Sequence, residues 1–413
     1  MAKITPFKGV RPTKELAADV ATLPYDVVSV AEAREFRKDT NNFYHVTRSE
    51  IDLQESVDVH SQQVYDMAKE NLDNMIKDKV LSQDTEPSYY IYELVMNGRS
   101  QTGLVCGSSI DDYNNGIVKK HEFTRPEKEQ DRVSHIATVG AQTGVVFLAY
   151  NDCESVQTII DEWKKEHAPT YDFTAPDGIR HIFWVVDSYP KVASITWHFA
   201  QDVPCTYIAD GHHRAASAAR VCKEMRDNGY SIDGDESFNY FVTCIFPASQ
   251  LQIMDYNRVA KDLNGMSPDE FMHKLENSFE ITKVGSEPVK PAKLHDFGMY
   301  LNDCWYKLTA KPGTWTDDPI GILDVSILQN NVLDNLLDIK DPRVDKRVDF
   351  VGGIRGMEGL QARVDSKEMA VAFSLYPVTI KQLFDIADSG NVMPPKSTWF
   401  EPKLRDGLVV YMI

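Results

Sequence analysis

The 413-residue chain lacks several features that define familiar classes of protein. No apolar run approaches the roughly 20 residues that a membrane-spanning helix requires. The start of the chain lacks the apolar stretch and the small-residue cleavage site of a secretory signal. The six cysteines are widely spread and include no Cys-x-x-Cys pair, which argues against a disulfide framework. We therefore expect a soluble, cytoplasmic protein with free thiols and no membrane partner.

Positive charge is also scarce. The chain carries 44 Lys and Arg residues against 62 Asp and Glu residues, giving a formal net charge of -18. Non-specific affinity for DNA comes from neutralising phosphates with Lys and Arg, so we do not expect nucleic acid as a partner. A phosphate-binding site in such a protein must concentrate basic groups and amide donors locally.

What is present is typical of a folded protein of more than one lobe. The hydrophobic fraction is 42% and the charged fraction is 26%, and the length suggests two or three lobes. Strand and helix patterns alternate, which predicts an α/β or α+β fold. We place a core lobe with an N-terminal extension at residues 1–265 and a C-terminal α/β lobe at residues 266–413.

Local patterns predict individual elements. Apolar residues at helical spacing predict an amphipathic helix over 64–80, and Asn97-Gly98 predicts a β-hairpin between 89–95 and 101–106. The polar segment 115–132 is expected to be a loop before a helix at 133–140, and 251–263 is expected to lead into a helix. Further strands are predicted at 182–186, up to 209, at 240–246, near 305, at 370–375 and at 407–412, with helices at 212–228, 267–279 and 380–389.

The strongest candidate for chemistry is Asp210-Gly211-His212-His213-Arg214. It lies where a strand ends and a helix begins, so it presents free backbone amides to an anion. Arg214 could grip phosphate oxygens, the histidines could donate hydrogen bonds, and Asp210 could hold a divalent cation such as Mg²⁺. The alternative is a helix cap with two surface histidines. Structural zinc is disfavoured, because no other His or Cys lies at ligand spacing.

The second candidate is Lys119-Lys120-His121-Glu122-Phe123-Thr124-Arg125, an acidic residue among cations. Neighbouring cations would keep Glu122 ionised and able to accept the proton of a hydroxyl group. Lys120, His121 and Arg125 would offset phosphate charge. The alternative is a solvated basic loop with one ion pair.

A third candidate is the loop 393–400, in which Lys396, Ser397 and Thr398 follow two prolines. The glycines of a P-loop are missing, although these side chains could still meet a phosphate brought by another segment. A plain loop before the last strand is the alternative. Weaker candidates, each with a structural alternative, are Tyr25-Asp26, Arg48, Asn257 and Arg258.

The chain resembles the domain of unknown function 1015 family, a prokaryotic family with some members named ParB-like. The resemblance rests on five ordered segments, 24–28, 120–125, 210–214, 256–258 and 393–400. It implies a ParB/sulfiredoxin-like core, related to free-serine kinases that share the signature Asp-Gly-His-His-Arg. In those kinases a glutamate is the base and the signature binds nucleotide phosphates with magnesium. By this resemblance Asp210, His212, His213 and Arg214 match, whereas the role of Glu122 is our own inference.

Two differences from sulfiredoxin and ParB proteins narrow the range of functions that the resemblance implies. Sulfiredoxin has a cysteine where this chain has His212, so reduction of a sulfinic acid is disfavoured. ParB proteins carry extra arginines in the turn and a helix-turn-helix, and neither is found here.

The leading hypothesis is a kinase-type phosphotransferase acting on a small hydroxyl compound, serine or phosphoserine, with ATP or ADP and Mg²⁺. Its catalytic residues would be Glu122, Asp210, His212 and His213. Phosphate or nucleotide contacts would come from Lys120, His121, Arg125, Gly211, Arg214, Asn257, Arg258, Lys396, Ser397 and Thr398. The alternatives are a non-catalytic nucleotide-binding switch and a ParB-like DNA-associated protein. The sequence does not decide between a monomer and a homodimer.

Overall fold

The computed structural model describes residues 1–230 and 234–413. The chain divides into two compact units. The first unit comprises Met1–Leu251 and Pro402–Ile413, and the second comprises Gln252–Glu401. The sequence analysis divided the chain at residue 265, so residues 252–265 and 402–413 change sides between the two descriptions.

The architecture is mixed α/β. The strands are β1 Ile4–Thr5, β2 Val10–Pro12, β3 Leu81–Gln83, β4 Tyr89–Met96, β5 Arg99–Ser109, β6 Val118–Lys119, β7 Ala141–Gln142, β8 Val146–Tyr150, β9 Tyr171–Thr174, β10 Arg180–Val186, β11 Thr206–Asp210, β12 Tyr240–Pro247, β13 Ile253–Met254, β14 Tyr256–Ala260, β15 Phe279–Gly285, β16 Asp296–Leu301, β17 Cys304–Ala310, β18 Val348–Gly352, β19 Val371–Ser374, β20 Trp399–Phe400 and β21 Tyr411–Met412. The α-helices are α1 Ala17–Val20, α2 Val30–Arg34, α3 Tyr44–Thr47, α4 Gln62–Lys77, α5 Ile110–Asn114, α6 Pro126–Val139, α7 Glu154–Glu166, α8 Tyr189–Asp202, α9 His212–Asp227, α10 Pro268–Leu275, α11 Asp324–Leu328, α12 Gly356–Asp365 and α13 Ile380–Asp388.

The first unit is built on a mixed sheet of nine strands. Its order is β6-β11-β8-β12-β5-β4-β10-β9, and β1 also pairs with β5. The β6/β11 and β8/β12 pairs are parallel, and the other pairs are antiparallel. Alanines on one face of α9, including Ala215 and Ala218, are buried in the main apolar cluster. Small side chains let this helix pack close to the sheet, which fixes its N-terminus beside β11.

The second unit contains a six-stranded sheet of order β15-β17-β16-β19-β14-β18. All of its pairs are antiparallel. Its apolar cluster includes Val259, Tyr300, Trp305 and Leu360. A short antiparallel pair, β13 with β20, brings the start of the unit next to its last residues.

Most of the predicted elements are confirmed. The amphipathic helix is α4, the hairpin is β4 and β5, and the strand at 206–210 is followed by α9. Two predictions were wrong. The helix expected at 133–140 begins at Pro126, because proline suits the first turn of a helix. The helix expected after 251–263 is the strand β14, whose five residues are all buried between β18 and β19. Among the described residues no helix has the length and apolarity needed to cross a bilayer.

Candidate functional site

The turn Asp210-Gly211-His212-His213-Arg214 joins β11 to α9 in the first unit. Gly211 has φ +96°, a left-handed backbone conformation that residues other than glycine rarely adopt. A Cβ at this position would lie 3.1 Å from Cζ of Arg214, so the guanidinium packs against the glycine backbone. Within residues 1–230 and 234–413, no side chain caps α9. The N–H groups of its first turn therefore face out of the helix end, where an anion is favoured.

The buried guanidinium of Arg214 faces two carboxylates that are each about a third exposed. Its Nη2 is 4.0 Å from a carboxylate oxygen of Asp26 and 4.0 Å from one of Asp210. Its Nη1 donates a hydrogen bond to the carbonyl of Val145. Nζ of Lys403 donates to Oδ2 of Asp210 at 3.0 Å. The predicted phosphate grip of Arg214 would therefore act from within this cluster.

Neighbouring charges outweigh burial in setting the pKa values of Asp210 and Arg214. Burial by itself raises the pKa of Asp210, but Lys403 and Arg214 outweigh it and hold that pKa below its ordinary range. Burial likewise opposes the charge of Arg214, while Asp26 and Asp210 raise its pKa above the ordinary value. Asp210 and Arg214 are therefore both charged.

The segment 119–125 lies against the start of α9. The N–H of Arg125 donates to Nε2 of His213 at 3.0 Å, and the N–H of His121 makes a long contact of 3.5 Å with Nε2 of His212. The rings of His121 and His212 meet edge to face, with centroids 4.5 Å apart. The structure therefore brings together the two strongest sequence candidates, 210–214 and 120–125.

Glu122 is the third side chain that lies beside the rings of His121 and His212. One ligand atom each from His121, Glu122 and His212 lie within 4.8 Å of one another. The sequence analysis disfavoured structural zinc at the turn because no other His or Cys lay at ligand spacing. That argument considered only neighbours along the chain, whereas the fold brings His121 to His212 from 91 residues away. No spacing rule detects a pair joined only by tertiary structure.

Both histidines are buried and neutral. Burial lowers the pKa of His121 to about 4. Burial, followed by the neighbouring His121, holds the pKa of His212 well below its ordinary value. In the part of the chain that the structure describes, neither ring nitrogen of His121 meets the geometry of a hydrogen bond; the backbone of Ile208 lies beside the ring and raises its pKa slightly against the effect of burial.

Two further cations of the segment, Lys120 and Arg125, are both exposed. Nζ of Lys120 lies 3.7 Å from the ring centroid of Tyr113, a cation–π contact. Partial burial lowers the pKa of Lys120. Arg125 is exposed and provides the N-cap position of α6. Positive charge is therefore present on this side of the turn.

Sequence reasoning missed two residues of the first unit. Lys403 pairs with Asp210, and Asp406 is a fully buried carboxyl whose pKa burial raises to about 7, in spite of the nearby Arg214. Both lie in 402–413, which the sequence analysis assigned to the other lobe. No motif marks them. Asp26, by contrast, was already a weak candidate, while Arg48 donates to Glu50 and to a backbone carbonyl.

The other predicted residues lie in the second unit and form hydrogen bonds there. The guanidinium of Arg258 donates to the carbonyls of Tyr256 and Pro395. Burial lowers the pKa of Arg258 to about 10. The amide of Asn257 donates to Asp255 and accepts from a backbone N–H.

The loop 393–400 also uses its polar groups locally. Oγ of Ser397 donates to the carbonyl of Pro394 at 2.6 Å. Lys396 has φ +58°, and its Nζ lies 5.8 Å from the ring centroid of Tyr256. Thr398 is half-buried. The predicted phosphate contacts of this loop and of Asn257 and Arg258 stay predictions.

The fold and this turn define a mixed α/β protein with a strand-to-helix site rich in histidine and charge. A family model described as "Protein of unknown function (DUF1015)" matches residues 4–326. The chain belongs to this family. No curated protein sequence matches it.

Several solved structures resemble the chain at low identity. A conserved hypothetical protein from Pyrococcus furiosus is 13% identical, with 75% of this chain and 95% of that chain covered and a TM-score of 0.36. Free serine kinase in complex with AMP is 12% identical, with 72% and 86% covered and a TM-score of 0.35. SbnI with C-terminal truncation from Staphylococcus aureus is 10% identical, with 74% and 86% covered and a TM-score of 0.36. Scores of this size carry no argument about function.

Proposed function

We propose that the protein is a phosphotransferase acting on a small hydroxyl compound, serine or phosphoserine, with ATP or ADP as phosphate donor or acceptor. The observation that carries the proposal is the meeting of a carboxylate, Glu122, with the N-terminus of α9 at the end of β11. A phosphoryl-transfer site needs a proton acceptor close to donors that hold phosphate. This arrangement supplies both in one place.

The proposed reaction assigns a role to each group. Glu122 accepts the proton of the substrate hydroxyl as its oxygen forms a bond to phosphorus. The bond from phosphorus to the nucleotide oxygen breaks, and the nucleotide leaves with one phosphate fewer. The N–H groups of the first turn of α9, together with Lys120 and Arg125, offset the negative charge on the phosphate oxygens. In the reverse direction the protonated Glu122 returns the proton.

Asp210 fits a supporting role for Mg²⁺ only together with a nucleotide. Its carboxylate already faces Lys403 and Arg214, so its own charge is largely offset. Mg²⁺ usually binds one or two carboxylates along with substrate phosphates and waters. When bound, the ion would supply positive charge to the phosphates, and Asp210 would offer it one oxygen ligand.

The central test is the variant Glu122→Gln, measured by phosphorus NMR with nucleotide, Mg²⁺ and serine or phosphoserine. We expect the rate of transfer to fall by about 10²- to 10⁴-fold, because the amide cannot accept the proton. Glu127→Gln is the matched control, since Glu127 is an exposed glutamate in the first turn of α6. Wild-type turnover in Glu122→Gln, with circular dichroism unchanged, would refute the role of Glu122.

Arg214 needs a gentler substitution than alanine, because its charge is balanced against two carboxylates. Arg214→Lys keeps the charge but loses the planar fork that binds phosphate at two points. We expect this variant to stay folded and to bind nucleotide more weakly in calorimetry. Unchanged nucleotide affinity would assign Arg214 to the fold alone.

A further inference from the structure

We propose that His121, Glu122 and His212 form a binding site for a divalent transition-metal ion of the Zn²⁺ class. The proposal goes beyond the phosphotransferase function, because it concerns a different ion from the Mg²⁺ that accompanies a nucleotide. It rests on the geometry of the three side chains and does not require that transfer takes place.

The three ligand atoms come from two separate parts of the first unit. His121 and Glu122 follow β6, and His212 begins α9 after β11, which pairs with β6. Their ligand atoms lie within 4.8 Å of one another. Around a tetrahedral Zn²⁺ with bonds near 2.0–2.1 Å, ligand atoms are about 3.4 Å apart. Binding such an ion would draw Glu122, the half-buried member, towards the two buried rings.

The ring of His121 provides the independent observation. It is 2% exposed, and among the described residues neither of its buried nitrogens meets the geometry of a hydrogen bond, although the backbone of Ile208 lies beside the ring. Buried polar atoms are nearly always hydrogen-bonded, so an unsatisfied imidazole beside a second imidazole and a carboxylate calls for a ligand. A metal ion can bind the lone pair of a ring nitrogen, which then needs no hydrogen-bond donor from a neighbouring residue.

The donor set selects the kind of ion. Two imidazoles and one carboxylate suit Zn²⁺ and its neighbours in the transition series, whereas Mg²⁺ prefers six oxygen ligands. Three protein ligands leave one position of a tetrahedral ion for water or a substrate atom. An ion bound to Glu122 would also compete with a proton for its carboxylate. Metal binding and the proposed base role therefore draw on the same group.

Cobalt is the first probe, because bound Co²⁺ absorbs visible light according to its ligands. The full chain, freed of metal, is titrated with Co²⁺ and then with Zn²⁺, each at pH 7 without nucleotide. We expect one equivalent of Co²⁺ to give a visible spectrum that one equivalent of Zn²⁺ abolishes. A large excess of Mg²⁺ should leave the spectrum unchanged. Absence of binding, or displacement by Mg²⁺ as readily as by Zn²⁺, would overturn the proposal.

Variants identify the ligands. His121→Ala and Glu122→Gln should each weaken Zn²⁺ binding at least about 10-fold, while His60→Ala and Glu127→Gln, which alter an exposed histidine and an exposed glutamate, should not. If His121→Ala does not fold, Glu122→Gln decides the question. If either His121→Ala or Glu122→Gln folds and keeps the wild-type Zn²⁺ affinity, the proposed site is refuted. Because binding is read directly, a protein that binds Zn²⁺ but transfers no phosphate refutes only the proposed function.

Discussion

Arg214 in the first unit and Arg258 in the second have the same side chain but contact different groups. In the first unit Arg214 faces the carboxylates of Asp26 and Asp210. In the second unit Arg258 donates to backbone carbonyls, and its guanidinium carbon lies 4.8 Å from the ring centroid of Phe350. The first arginine balances charge beside an open helix end, and the second joins strands and a loop. The role of an arginine in such a motif therefore cannot be assigned until the groups that its guanidinium contacts are known.

Buried carboxylates repeat the contrast. Asp210 in the first unit lies between two cations, which lower its pKa in spite of burial. In the second unit burial raises the pKa of Asp324 to about 7, and the N–H groups of His295 and Tyr376 offset only part of the effect. The same side chain is thus stabilised in its charged form at one position and in its neutral form at the other.

The first prediction concerns the stability that is lost when each arginine is removed. Arg214→Ala removes a buried guanidinium from between Asp26 and Asp210. We expect a loss of about 3 kcal/mol, the lower end of the range for a buried pair, because both carboxylates are partly exposed and Lys403 still faces Asp210. Arg258→Ala leaves carbonyl groups without a donor, and we expect about 1–3 kcal/mol. Chemical unfolding followed by circular dichroism measures both. Equal losses would break the comparison between the two arginines.

The second prediction concerns pH. The folded pKa of Asp324 lies above that of an unfolded aspartate, so its contribution to stability is fully present below about pH 4 and is lost as the pH rises to about 7. The change is up to roughly 4 kcal/mol. Asp324→Asn should remove this dependence and raise stability at pH 8. Thermal unfolding between pH 4 and pH 8 tests it, and an unchanged slope would contradict it.

Asp210 supplies the opposite sign when the same unfolding experiment is extended below about pH 4. Its folded pKa lies below the unfolded value, so its contribution is present above that value and is lost as the pH falls. Asp210→Asn should therefore remove stability at neutral pH and change little in strong acid. A loss that is the same at both pH values would show that its ion pairs do not matter.

A smaller effect is expected from glycine. Gly211 and Gly313 both have positive φ, at +96° and +91°, but only Gly211 is crowded, by the guanidinium of Arg214. Gly313→Ala should cost about 1 kcal/mol from backbone strain, and Gly211→Ala about 1–3 kcal/mol because the arginine must also move. Unfolding free energies of the two variants measure the difference. Equal values would mean that the contact with Arg214 adds nothing.

The smallest effect is expected at Ser397. Its hydroxyl donates to the carbonyl of Pro394, and Ser397→Ala should cost about 1 kcal/mol. Nucleotide affinity of the same variant tests the sequence prediction that this hydroxyl meets a phosphate. A fall in affinity larger than the change in stability would support that contact, and unchanged affinity would leave Ser397 with a local role.

Local sequence predicted the elements that local physics controls. The spacing in α4, the Asn97-Gly98 turn and the strand before Asp210 were all readable, because periodicity and turn chemistry act over a few residues. The start of α6 at Pro126 and the strand β14 were not. In β14, burial between two neighbouring strands decided the conformation of residues whose own pattern was ambiguous.

The sequence by itself determined that a strand-to-helix turn with Gly211 would present amides, and that Glu122 would sit among cations. Only the tertiary structure decided that His121 meets His212, that Arg214 lies between Asp26 and Asp210, and that Lys403 reaches Asp210. The physical reason is distance along the chain. Apart from Arg214 and Asp210, which are four residues apart, these pairs are separated by 91 to 193 residues. Their chemistry exists only after the sheet of the first unit has brought the segments together.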